Sequence, residues 1–97
     1  MADQKVWFIT GVSRGFGKVL TEHALAAGDI VIGTTRDGKA SFKGDTRNVH
    51  LLPLEITDPA AIRATIGKAH ALHGRLDVVV NNAGYGLLGS VDRKSVV

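Results

Sequence analysis

At 97 residues the chain allows one small domain, and a hydrophobic content of 44% is enough to give that domain a core. It contains no cysteine, which removes disulfides and fits a cytoplasmic setting, and its formal charge of +3 is modest for nucleic-acid binding, with the basic residues scattered and no aromatic platform between them. With no apolar run of about eighteen residues, no charged-then-apolar leader, no lipidation signal and no internal repeat, the expectation is a cytoplasmic protein with neither membrane nor nucleic-acid partners.

The first element is the apolar run Val6-Trp7-Phe8-Ile9, read as a strand whose aromatic pair serves core packing. It runs straight into Thr10-Gly11-Val12-Ser13-Arg14-Gly15-Phe16-Gly17 and then into a helical pattern of Phe16, Val19, Leu20, Ala24 and Ala27, closed by Gly28. Ile30-Val31-Ile32 supplies a second strand, so a βαβ unit is complete within roughly thirty residues. The segment from Asp37 to Asn48 is too polar to assign and leaves room for a short helix. A third run, Val49-His50-Leu51-Leu52, leads through Pro53-Leu54 to Asp58-Pro59, which reads as an N-cap followed by proline at the first helical position. The second helix presents Ile62, Ile66, Ala69 and Leu72 on one face and stops at Gly74. Leu76-Asp77-Val78-Val79-Val80 lacks alternation, as a parallel strand buried on both faces should.

A strand that turns through glycines into a helix start makes a phosphate cradle, because the first turn of a helix has unpaired N–H groups and a partial positive charge. Gly11 permits the tight turn, Gly15 lets a pyrophosphate approach the backbone, and Gly17 lets the helix pack close to the sheet. The spacing differs from the G-x-G-x-x-G fingerprint, and on this motif alone a plain turn and cap stays open. A P-loop does not fit, since Val12 stands where its first glycine is required and Val19 replaces the Ser/Thr that would hold magnesium. His70 and His73 lie i, i+3, but no carboxylate or cysteine completes a metal set, so no metal site is expected.

Taken together, Thr10-Gly11-x-x-x-Gly15-x-Gly17, an arginine after the second strand, Leu54-Glu55-Ile56-Thr57-Asp58, and Asn81-Asn82-Ala83-Gly84 after the fourth strand resemble the short-chain dehydrogenase/reductases, from about Lys5 to about Leu88. The resemblance implies an α/β fold, a Rossmann-type doubly wound parallel sheet truncated here to about four strands in the order 3-2-1-4, with Pro53 tolerated because the third strand lies at an edge. It also implies cofactor-binding roles for Gly11, Ser13, Arg14, Gly15, Phe16, Gly17, Arg36, Glu55, Ile56, Asn82, Ala83 and Gly84. Ser13 and Arg14 fall where members that prefer NADP group side chains around the 2′-phosphate. Members that prefer NAD usually carry an acid at the end of the second strand, whereas Thr35 stands there here and Arg36 follows. An arginine fork matches a phosphate dianion, so NADP(H) is the expected cofactor, with Asp37 keeping NAD(H) as the runner-up. Glu55 and Ile56 match the pair that flanks the adenine, although the family more often has aspartate at the first of them.

The family's chemistry rests on a tyrosine four residues before a lysine, beyond the fourth strand. Tyr85 is the only tyrosine, and Gly89 stands four places on, so no catalytic residue is assigned. The chain therefore reads as the cofactor-binding half, residues 1–91, of an NADP(H)-dependent oxidoreductase acting on a small-molecule alcohol or ketone, inactive by itself, with a homo-oligomeric parent. Residues 92–97, Asp92-Arg93-Lys94-Ser95-Val96-Val97, fit neither a helix face nor the family and are read as a non-native or frayed tail. A non-catalytic dinucleotide-binding sensor of the same fold is the alternative, separated by whether Tyr-x-x-x-Lys follows in the complete gene.

Overall fold

A computed structural model describes residues 4–54 and 58–82 of the chain. Its elements are β1 (Val6–Thr10), α1 (Gly15–Ala26), β2 (Ile30–Thr35), β3 (Val49–Pro53), α2 (Pro59–His73) and β4 (Val78–Val80). The strands form one sheet in the order β3-β2-β1-β4 with every pairing parallel, which is the order expected from the sequence. β1 pairs with both β2 and β4 (Trp7 opposite Val31 and Val78), while among the described residues β3 pairs only with β2. Pro53 thus lies on an outer strand, where its missing N–H breaks no ladder.

The passage from β1 to β2 runs one way along the sheet and that from β3 to β4 runs back. Right-handed crossovers then place α1 and α2 on opposite faces. The side chains sort accordingly. Val6, Phe8, Ile32 and Val79 pack with Ala69 of α2, and Ile9, Val31 and Val80 pack with Ala24 of α1. Because consecutive strand residues point to opposite faces, Phe8 and Ile9 are both fully buried, which is why these strands read as unbroken apolar runs.

Each helix buries part of the apolar face read from the sequence, Ile62, Ile66 and Ala69 in α2 and Leu20 and Ala24 in α1, but leaves some of its largest apolar residues outside. The buried residues of α1 are Gly17, Thr21 and Ala24, while Phe16 and Val19 are 65% and 62% exposed. Small residues lie inward because α1 starts close against β1, and the Thr21 hydroxyl satisfies itself by donating to the Gly17 carbonyl at 2.7 Å. In α2, Ile62, Thr65 and Ala69 are buried and Leu72 is exposed. Trp7 also departs from pure core packing: it is half-buried, and its indole Nε1 donates to Asp29 Oδ2 at 3.0 Å. The polar stretch between β2 and β3 holds no helix. Phe42 instead anchors it in the α1-side core, and Lys43 N donates to Glu22 Oε2 of α1 at 2.9 Å. The fourth strand begins at Val78, later than the apolar run suggested. Leu76 is nonetheless buried in the core, and the Asp77 carboxylate accepts from Val6 N at 2.8 Å.

The second helix starts as its sequence dictates, with the Asp58 carboxylate accepting from Ala60 N at 3.0 Å and Pro59 in the first turn, and it ends at Gly74 in the left-handed conformation. Asp58→Ala is expected to lower stability by about 1 kcal/mol and Asp58→Asn by much less, since Asn keeps a capping oxygen, as read from urea unfolding followed by circular dichroism.

Candidate functional site

The carboxyl ends of β1 and β2 open onto a cleft lined by Gly11, Ser13 and Arg14 from the turn after β1, by Thr34, Thr35, Arg36, Asp37 and Lys39 from the end of β2 onward, and by Leu54 and Asn82. The turn is built by its own backbone. The N–H groups of Gly11 and Val12 both donate to the Thr34 carbonyl, at 3.0 and 3.1 Å, folding the chain across the end of β2. Gly11 and Gly15 sit at φ +70 and +64, a region that disfavours side chains, so glycine is required at both bends.

Gly17 is demanded by space instead. A Cβ there would overlap the Gly11 carbonyl oxygen and lie 2.6 Å from Asn82 Nδ2. That same Nδ2 donates to the Gly11 carbonyl at 2.8 Å, so Asn82, just past β4, holds the end of β1 while the first turn of α1 presses on both. The two helix starts differ in kind. α2 has the Asp58 cap, whereas Arg14 at the N-cap of α1 makes no side-chain hydrogen bond to the helix; neither first turn carries an acid. A Cβ at Gly15 would meet nothing within 4 Å, so the start of α1 has room beside it. A helix start without a capping side chain, next to bare backbone, suits an anionic group.

Among its described lining residues the cleft carries more cations than acids. Arg14, Arg36 and Lys39 are exposed along it. The one acid among its described lining residues is Asp37, whose carboxylate accepts from Lys39 N at 3.0 Å and from the Thr35 hydroxyl at 3.2 Å. The Lys39 backbone bond, with smaller help from Thr35 and the Lys39 charge, holds Asp37 below the usual carboxylate range. Its Oδ1 is thereby committed to the turn. Thr35 Oγ1 also accepts from Lys39 N, at 2.8 Å, so that one turn places Lys39 beside the two arginines.

Of the residues singled out in the sequence, Gly11, Ser13, Arg14, Arg36 and Asn82 share this cleft, with Gly15 and Gly17 in the helix start beside it. Phe16 is not among its lining. It borders a separate apolar groove on the other flank of α1, with Trp7, Leu20, Val78 and Val80. Glu55, Ile56, Ala83 and Gly84 lie outside the described residues, as do Tyr85 and the tail from Asp92. Sequence reasoning missed Lys39, Thr34 and Leu54. The available signal for Lys39 was Asp37-Gly38, a turn dipeptide that returns the chain toward the end of β2.

A parallel sheet in this order, with a glycine-built turn leading into the helix after β1, is the first half of a doubly wound domain. Residues 5–96 match the family model described as short chain dehydrogenase, and the chain belongs to that family. It is 39% identical over 92 residues to the oxidoreductase BOA17 of Botryotinia fuckeliana, an alignment covering 91% of this chain and 34% of that protein. It is 41% identical over 83 residues to the 3-oxoacyl-(acyl-carrier-protein) reductase FabG of Escherichia coli, covering 82% of this chain and 34% of FabG. The chain thus spans about a third of the length of these curated relatives. Among solved structures it resembles a short-chain dehydrogenase from Streptomyces avermitilis, with a TM-score of 0.73 at 38% identity over 82% of this chain and 31% of that one. It also resembles 3-ketoacyl-(acyl-carrier-protein) reductase from Brucella melitensis complexed with NADH, with a TM-score of 0.68 at 29% identity over 84% and 35% of the two chains. ElxO with NADPH bound gives a TM-score of 0.72 at 29% identity over 82% and 35%.

The contact of Gly17 with the Gly11 carbonyl yields a direct test. Gly17→Val is expected to push α1 away from β1 and cost about 1 to 3 kcal/mol, seen as a lower urea midpoint with an unchanged slope. A variant that unfolds like the parent would remove the steric role of this position.

Proposed function

We propose that the complete protein is an NADP(H)-dependent oxidoreductase that transfers a hydride between the nicotinamide and the carbon of an alcohol or ketone, and that this chain is its cofactor-binding half. The observation that carries the reading is the cationic lining of the cleft, to which Arg14, Arg36 and Lys39 contribute while Asp37 Oδ1 accepts from its own turn. A ribose 2′-phosphate is a dianion that such a lining attracts, and the guanidinium fork of Arg36 suits its oxygens. Membership of the family and the oxidoreductase names of BOA17 and FabG support the reaction class. The relatives solved with NADPH and with NADH support a nicotinamide dinucleotide as the ligand.

In this reading the start of α1 and the backbone of Gly11 to Gly15 receive the pyrophosphate, and Arg14, Arg36 and Lys39 hold the 2′-phosphate. Asn82 fixes the carbonyl of Gly11 so that the cradle keeps its shape. Glu55 and Ile56 flank the adenine, and Ala83 and Gly84 run past the adenosine ribose. Phe16, on the far flank of α1, acts on the cofactor only through the position of the helix start. The bound cofactor supplies the hydride. The proton donor comes from the part of the protein beyond this chain, for Tyr85 has no lysine four residues on. The complete protein is cytoplasmic and homo-oligomeric in this reading.

Arg36→Ala in the complete protein is expected to weaken NADPH binding about 10- to 150-fold, the equivalent of about 1.5 to 3 kcal/mol for a charged hydrogen bond, and to leave NADH nearly unchanged. Titration calorimetry with both cofactors decides this, and equal losses would overturn the preference. The 97-residue chain by itself is expected to show no NADPH oxidation in an absorbance assay with ketone substrates, and measurable turnover would place the proton donor within it.

A further inference from the structure

Four histidines are spread along the sequence, and the fold brings two of them together across 23 positions. His50 is the second residue of β3, and His73 is the last residue of α2. His50 shares strand parity with Leu52, which packs in the core on the α2 side of the sheet, so its imidazole rises from the face that α2 covers. The two rings meet there with centroids 5.2 Å apart and planes tilted by 52°.

We propose that His50 and His73 form a two-histidine site for a borderline divalent cation such as Zn2+ or Cu2+, clasping the end of α2 to the outer strand. Three observations carry it. The first is distance: imidazole nitrogens lie about 2.0 to 2.1 Å from a zinc ion, the ring centre lies about 1.1 Å further along the same line, and two such rings on a tetrahedral ion have centres about 5 Å apart. The observed separation matches. The second is the field, because the last turn of a helix carries partial negative charge and favours a cation, and α2 ends at Gly74 directly after His73. The third is access. His73 is exposed and His50 half-buried, so an ion reaches them without crossing the core and keeps the rest of its solvent shell.

Ligand type sets the selectivity. Neutral imidazole suits Cu2+, Ni2+ and Zn2+, whereas Mg2+ and Ca2+ prefer oxygen ligands. Among the described residues no set of three or more His, Cys, Asp or Glu side chains converges, so water or an outside ligand fills the remaining positions. Such a site is open rather than closed, which makes it a clasp that the available metal loads and releases. By joining residues 50 and 73, the ion ties β3, which pairs with a single neighbour among the described residues, to the helix that leads into β4.

The test is titration of the full chain with ZnCl2, followed by calorimetry and thermal melting, together with electron paramagnetic resonance of the Cu2+-loaded chain. One ion per chain is expected, with a melting temperature that rises with metal concentration and a Cu2+ spectrum showing two nitrogen ligands. His50→Gln and His73→Gln are each expected to weaken binding by about tenfold or more, because losing a ligand costs at least as much as losing an outer-shell partner. His23→Gln and His70→Gln are expected to retain it. His73 is exposed at a helix end, so its variant reports on the metal even if His50→Gln folds poorly. Absence of saturable binding, a Cu2+ spectrum with a single nitrogen, or equal losses in the His23 and His73 variants would overturn the site and leave the pair as a ring contact.

Discussion

α1 lies close against β1 at the carbonyl of Gly11, and much of the architecture depends on that contact. Gly17 has no side chain to hold the helix off, so the first turn of α1 settles against this carbonyl while Asn82, arriving from β4, donates a hydrogen bond to the same oxygen. Three elements separated in sequence, the end of β1, the start of α1 and the residues after β4, are thereby fixed to one atom. The inward face of α1 follows, because a helix pinned at Gly17 turns Thr21 and Ala24 toward the sheet one and two turns later and swings Phe16 and Val19 outward.

The two helix starts are finished differently. Asp58 and Pro59 satisfy and preorganise the start of α2, which packs against the α2-side core. α1 begins without a side-chain cap. Leaving such an end uncapped forgoes about 1 kcal/mol of capping stabilisation, and in the proposed function a bound phosphate supplies the missing partner. The end of β2 carries the same division of labour. Thr35, Asp37 and the backbone of Lys39 bond to one another, and this leaves the cationic side chains facing the cleft.

The connection from β2 to β3 shows how little secondary structure a crossover needs. It runs on the α1 side, where Phe42 enters the core and Lys43 bonds to Glu22. One half-buried aromatic ring and one hydrogen bond from backbone to side chain dock a segment whose composition is otherwise that of a loop. Core apolar contacts on both sides of the sheet remain continuous across it, with Val49 and Leu51 facing α1 and Leu52 facing α2.

Local chemistry in the sequence determined the elements and their caps. Glycine spacing, the Asp58-Pro59 cap, the stop at Gly74 and the unbroken apolar runs each act over a few residues, so strand, helix and turn were legible from them, and with the family resemblance so was the strand order. Four of the singled-out residues share the cleft for the same reason, since the turn after β1 and the end of β2 are adjacent whenever two parallel strands pair, and Asn82 joins them because β4 pairs with β1. What only the tertiary structure decided are the relations between distant residues. Periodicity marks a helix's apolar stripe but not its angle to the sheet, so Phe16 and Val19 looked inward until the contact at Gly17 set the rotation. Lys39 sits in a segment with no periodicity and joins the cleft through a turn closed by side chains. His50 and His73 meet because strand parity and helix placement point both at one face, a coincidence of three-dimensional packing that no local pattern encodes.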